Sequence, residues 1–287
     1  MPEQAPNARS FVLDLLSTLR RGAMPVRALV ESAALFGIAG GSVRVALTRL
    51  LAEGLVERDE RGLYRLGRAA APVQGRVAAW RDLDARLRPW SGAWIGVFEG
   101  RAAAPPSRAS QRRSERALEL TGFRGFARGL ALRPDNLVGG VARLREELGA
   151  LGLAPGAVVC ELRELDLVSD ARARKLWDAD DLVAQYRRHR QRLEASTRRL
   201  RSRSAEVAMV ESFRVGGAVL RLLAHDPLLP EPIIPAAERV ALVDAMIDYD
   251  ATGRASWSEF MARHGVVQGK SPAAPFDGRA IARGGLR

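Results

Sequence analysis

Apolar residues in the N-terminal part of the chain return at the three- and four-residue intervals that place them on one side of an α-helix. Phe11, Val12, Leu15, Leu16 and Leu19 form one such stripe over Ala8–Arg21, closed by Gly22. Pro25 suits a first helical turn, where its missing N–H costs nothing, and Val26, Leu29, Val30, Ala33 and Phe36 make a second stripe that ends at Gly37. After Gly40-Gly41, Ser42 has the side chain to cap a third helix, with Val43, Ala46, Leu47, Leu50 and Leu51 inward and Gly54 as its left-handed stop. A rotation of about 100° per residue turns Arg44, Val45, Thr48 and Ala52 away from that core, with Arg49 on the flank. The period then shortens, and Leu55–Arg58 and Leu63–Leu66 read as two strands around the charged turn Asp59-Glu-Arg-Gly.

Further on, Val73, Val77 and Trp80 predict a connecting helix over Ala69–Arg88, ended by Pro89. A strand at Ala93–Phe98, a charged helix at Ser107–Thr121 and two runs joined at Gly129, Phe123–Arg128 and Leu130–Leu132, come next. Asp135 or Asn136 is placed to cap a helix carrying Leu137, Val141, Leu144, Leu148 and Leu151, and Ala157–Leu162 returns as a strand. The order β-α-β-β-α-β is the split βαβ arrangement of a ferredoxin-like domain. Helices are predicted at Asp180–Arg201, Ala205–Ala224, Ala236–Ile247 and Ser256–Arg263. Asp226-Pro-Leu-Leu-Pro-Glu-Pro reads as a rigid turn, and Asp248-Tyr-Asp-Ala-Thr-Gly as a helix break, since Arg254 and Trp257 spoil the oxygen ladder of a calcium loop.

The expected chain is therefore α+β. It has a winged helix-turn-helix at residues 1–68, a linker at 69–91, a ferredoxin-like domain at 92–165 and a helical domain for dimerisation and effector binding at 166–264. The tail at 265–287, rich in Gly, Pro, Ala and Arg without a period, is expected to be disordered.

Charge adds a partner class to this picture. Lys+Arg 45 against Asp+Glu 33 gives +12 and favours polyanions. Lys175 and Lys270 are the only lysines, so the excess is guanidinium, suited to bidentate contact with phosphate or guanine; GC-rich coding also inflates Arg and Ala. The densest run spans Tyr186–Arg203, where eight arginines (Arg187, Arg188, Arg190, Arg192, Arg198, Arg199, Arg201, Arg203) accompany one acid, Glu194. Such a run is either a solvated helix face or a contact for DNA backbone or an anionic effector. No stretch reaches the roughly 18 apolar residues of a membrane span, and Met1–Arg9 lacks the apolar core of a signal peptide, so a cytoplasmic protein without membrane contact is expected.

Catalytic readings find little. Cys160 alone excludes an intramolecular disulfide and thiolate-rich metal sites, and reads as a strand residue packed in a core. His189, His225 and His264 are too few and too scattered for metal or triad chemistry, and no glycine-rich phosphate loop occurs. No enzyme activity, cofactor or metal is expected. The alternative is a metal-dependent nuclease on the ferredoxin-like unit, resting on Glu99 at the end of its first strand.

The N-terminal pattern makes a more specific case. A helix entering the major groove needs short side chains for close backbone approach and hydrogen-bonding groups for base edges and phosphates. Ser42, Arg44, Val45, Thr48 and Arg49 meet that need, and Arg58, Arg61 and Arg65 on the wing are placed for flanking phosphate or the minor groove. A unit used for protein dimerisation alone, or a DNA-binding protein without a small-molecule sensor, remain open alternatives.

Four segments resemble the PaaX-like transcriptional regulators of phenylacetate catabolism and related pathways. They are the run from Phe36 to Val56, the wing Arg61-Gly-Leu-Tyr-Arg-Leu, the stretch from Gly122 to Pro134, and the turn from Asp226 to Pro235. The resemblance implies a homodimeric repressor on double-stranded DNA with an inverted-repeat operator, released by an acyl-CoA thioester such as phenylacetyl-CoA. An aromatic acyl group would call for an apolar pocket, for which Trp80, Trp90, Trp94, Trp177 and Phe213 are candidates by residue type.

Overall fold

The computed structural model describes residues 7–19, 22–99 and 107–266. Residues 267–287, most of the expected tail, lie outside them. The first module holds helices α1 (Ala8–Thr18), α2 (Val26–Ala34) and α3 (Gly40–Ala52), with strands β1 (Met24–Pro25), β2 (Val56–Arg58) and β3 (Leu63–Leu66). Phe11, Val12, Leu15, Leu16, Leu29, Val43, Leu47 and Leu50 fill its core, the stripes expected from periodicity. Two expectations need correction. Pro25 stands before α2 and pairs with Leu63, so β1 becomes a third strand in a sheet ordered β1-β3-β2. Ser42 does not cap α3; the helix starts at Gly40 with Ala39 in the cap position.

The reason for that early start is packing. A Cβ on Gly40 would lie 2.9 Å from Val30 Cγ1, so the first turn of α3 sits directly against α2. The turn between them is held by Ile38 N donating to Ala33 O and Gly37 N to Ala34 O, with Gly37 at φ 74°. The same pair of bonds recurs at the other end of α3, where Gly54 has φ 68°.

Residues 68–86 form a 3-10 turn, the short helix α4 (Ala71–Ala78) and two further 3-10 turns, where one continuous helix was expected. Trp80 and Leu83 are buried in the core that the following module shares with the C-terminal helices, and that anchoring shapes the link. The middle module contains β4 (Trp94–Phe98), α5 (Arg108–Leu120), β5 (Arg124–Ala127), β6 (Leu130–Pro134), α6 (Gly140–Leu151) and β7 (Val158–Leu162). Its sheet order, β5-β6-β4-β7, is antiparallel throughout, with Gly96 paired to Leu132 and Cys160. This is the ferredoxin-like topology. Neither Asp135 nor Asn136 caps α6; Gly139, at φ 89°, does, because both polar side chains are buried in contacts elsewhere.

The C-terminal part is helical: α7 (Leu167–Arg174), α8 (Ala179–Leu200), α9 (Ala205–Ala224) and α10 (Ala236–Arg263). The segment read as a helix break, Asp248–Gly253, lies inside α10, which runs unbroken for 28 residues. Tyr249 is buried there, Asp250 pairs with Arg81 and Arg254, and Gly253 packs beside Ser212 of α9. Tertiary partners hold the helix together where local composition looked unfavourable.

The middle module and the C-terminal helices share one hydrophobic core, and two further buried contacts tie the parts together. At one, Asn136 Nδ2 donates to Leu228 O (2.7 Å), and the Arg133 guanidinium, 1% exposed, donates to the carbonyls of Thr121, Pro134 and Pro227. Tyr186 donates to Asp226 in the same region; burial, followed by the Asp226 charge, raises its phenol far above the ordinary value and keeps it a donor. At the other, Met209, Trp257, Phe260, Met261 and Val266 complete the hydrophobic core of the first module. Phe11, Phe36 and Phe213 meet with ring centroids 4.9–5.3 Å apart, and Trp257 lies 6.1 Å from Phe213.

Candidate nucleic-acid interface

Helix α3 buries Val43, Ala46, Leu47 and Leu50, and this fixes which side chains remain outside. Ser42, Arg44, Val45, Thr48 and Arg49 are all exposed. Val45 is 52% exposed, so an apolar side chain stands in solvent in the middle of the face, where it can meet a thymine methyl. The Thr48 hydroxyl donates to Arg44 O (3.1 Å), which leaves its acceptor lone pairs and methyl outward. Neither Arg44 nor Arg49 has a carboxylate within ion-pair distance among the described residues. Glu53, at the C-terminal end of α3, is engaged by Arg9 of α1 at 2.6 Å. The hydrogen bond from Arg9 lowers the Glu53 pKa, so this acid is ionised and neutralised where it adjoins the face.

The wing is stiffened at its tip. Asp59 Oδ1 accepts from Arg61 N (3.0 Å) and Leu63 N (2.8 Å), and Gly62 takes φ 78° to close the turn. Its three arginines differ. Arg58 lies over the Tyr64 ring at 5.8 Å, Arg65 pairs with Glu57 at 3.2 Å, and Arg61 is exposed with no carboxylate partner among the described residues. The wing is locked to the end of α3 through Gly67, whose N–H donates to Leu55 O; a Cβ there would lie 2.3 Å from Gly54 O. All eight residues expected at the interface thus belong to one module, five on α3 and three on the wing, with their side chains exposed.

Other sequence candidates fall elsewhere. Trp80, Trp94 and Trp177 belong to the core shared by the middle module and the C-terminal helices, where Trp94 and Trp177 stack at 6.3 Å and Trp90 meets Trp94 edge-on at 5.2 Å. Phe213 sits apart, at the junction with the first module. Glu99 lies at the end of β4, and no group of three His, Cys, Asp or Glu side chains converges to hold a metal among the described residues. Trp257, which in the sequence counts only against a calcium loop, completes the core of the first module, a role that nothing near it in sequence marks. Among the described residues no helix is long and apolar enough to cross a membrane.

A helix-turn-helix with its second helix uncovered, followed by a basic wing, defines a winged-helix DNA-binding regulator. The sequence carries two family patterns in the order this architecture requires: PaaX-like protein over residues 7–70 and PaaX-like protein C-terminal domain over residues 177–243. Together the two patterns support a PaaX-like family protein and, in that general sense, a transcriptional regulator. Among solved structures, the uncharacterized protein Rv0674 from Mycobacterium tuberculosis is similar in fold, with a TM-score of 0.52 and 23% identity over 87% of this chain and 98% of that one. No curated protein matches.

Proposed function

We propose that the protein is a sequence-specific repressor that binds DNA as a homodimer, placing two copies of α3 in successive major grooves of an inverted-repeat operator. Half-sites are then about one helical turn, or a multiple of it, apart. The observation that carries this reading is the outward side of α3, where small and guanidinium side chains stand exposed beside the arginines of a rigid wing. An acyl-CoA thioester of the phenylacetyl-CoA kind releases the operator, through a coupling on the order of 1–3 kcal/mol between body and head. The family patterns and the resemblance of the segments 122–134 and 226–235 support that part.

Fluorescence anisotropy with DNA from upstream of the protein's own gene tests the reading. Tight binding that weakens steeply with salt is expected, because phosphate contacts release counterions. Addition of phenylacetyl-CoA is expected to reverse it. Binding no tighter than to scrambled DNA overturns the assignment as a sequence-specific regulator.

A further inference from the structure

A cavity of about 330 Å³ lies where the first module meets the C-terminal helices. One wall is α1, through Asp14, Leu15 and Thr18; the others are α9 and α10, through Phe213, Gly217 and Trp257. The space opens to solvent on one side, and its volume falls in the range of small-molecule sites. The lining is mostly apolar, with an ionic rim on one side where Arg221 Nη1 lies 3.2 Å from Asp14 Oδ2. Burial raises the Asp14 pKa against the pull of Arg221.

Glycines in a helix interior are unfavourable, and α9 and α10 place three beside this space, Gly216, Gly217 and Gly253. Packing demands none of them: a Cβ would lie 3.5 Å from Met246 Cε at Gly216, 3.4 Å from Ser212 Cβ at Gly253 and 3.5 Å from the Arg221 guanidinium at Gly217, all ordinary contact distances. At Gly217 the neighbour is the end of a flexible side chain, so a larger residue there can be accommodated and would project into the cavity.

We infer that this cavity is a ligand site for a compact aromatic group, seated against Phe213 and Trp257, with any anionic end directed to the Arg221 side. Occupation bears on α1 and on the Phe11–Phe36–Phe213 cluster at once, so it changes how the DNA-binding module sits on the body. That regulatory half rests on the repressor reading above; the binding half does not.

The test uses the full-length protein, with toluene and phenylacetate as probes and titration calorimetry and thermal shift as readouts. Wild type and Gly217→Ala are expected to bind a probe and melt at higher temperature with it. Gly217→Leu is expected to fold and to lose that binding at least tenfold. A Gly217→Cys variant in a Cys160→Ser background supplies a second readout: maleimide labelling at residue 217 should slow when the probe is present. Failure of wild type to take up either probe, undiminished binding by Gly217→Leu, or labelling unaffected by the probe each overturns the site. Operator binding measured without ligand separates the two readings. Wild type that binds probe through Gly217 but no operator refutes the repressor and keeps the cavity; wild type that binds operator but no probe does the reverse.

Discussion

Two arginine-rich surfaces of this molecule share a chemistry and differ in what surrounds each guanidinium. Along α8, Arg187 pairs with Glu238 of α10 at 2.7 Å and Arg199 with Glu211 of α9 at 2.7 Å, while Arg188 and Arg190 face Asp181 and Glu194 at 3.5 Å. On α3 and at the wing tip, Arg44, Arg49 and Arg61 are exposed and none forms an ion pair within 4 Å among the described residues; Arg49 acts on Glu53 only at longer range. The denser run is the one whose charge is more fully answered, because acids from distant parts of the chain fold back on it. Charge density along the sequence and local ion pairing therefore rank these surfaces in opposite orders for an anionic partner, and the proposed function follows the ion pairing.

Substitutions can break or sharpen that contrast. The largest effect is expected from Val45→Glu, which sets a negative charge in the middle of the surface proposed to face the groove, without touching the core. Operator affinity should fall by more than about 100-fold, the order of two good base contacts, with the melting temperature unchanged. Arg44→Ala and Arg49→Ala come next, each costing about 1–3 kcal/mol in binding assays on the native site. Arg61→Ala should weaken binding about equally on all sequences and lower the salt slope by about 1, which anisotropy titrations across salt concentrations detect.

Smaller still are the effects on α8. Arg187→Ala should leave DNA affinity within about twofold and lower stability only slightly in denaturant melts, because an exposed ion pair is screened by solvent. A drop in operator affinity matching that of Arg44→Ala would make α8 a second DNA contact. The acid side gives the smallest signal. The Glu53 pKa is lowered from 4.5 by Arg9, so the pair stabilises the fold above that value and the contribution fades as pH falls through the lowered one. Arg9→Ala should flatten this part of a melting-temperature-against-pH curve.

How much of this was legible beforehand follows from how local each cause is. The outward face of α3 is a matter of helical period and could be read residue by residue from Val43 to Leu51. The ferredoxin-like order followed from the alternation of strand and helix patterns. Three other features were hidden for one reason. The caps expected of Ser42, Asp135 and Asn136 failed because position against a neighbouring element, not side-chain type, set where α3 and α6 begin. The continuity of α10 through Gly253 depends on α9 and Arg81. Phe11 in α1 is covered by Phe213 in α9, and Asn136 is satisfied by Leu228, far away in the chain. Local pattern states that these residues need partners and cannot say which.

The central claim is that the outer side of α3 lies in the major groove, and methylation protection reports on that groove directly, since dimethyl sulfate modifies guanine N7 there. On DNA from upstream of the protein's own gene, wild type should protect guanines in two clusters about one helical turn, or a multiple of it, apart. Arg44→Ala and Arg49→Ala should each remove protection at particular guanines in both clusters. Protection that survives both substitutions unchanged, or that disappears with Arg187→Ala instead, would contradict the account.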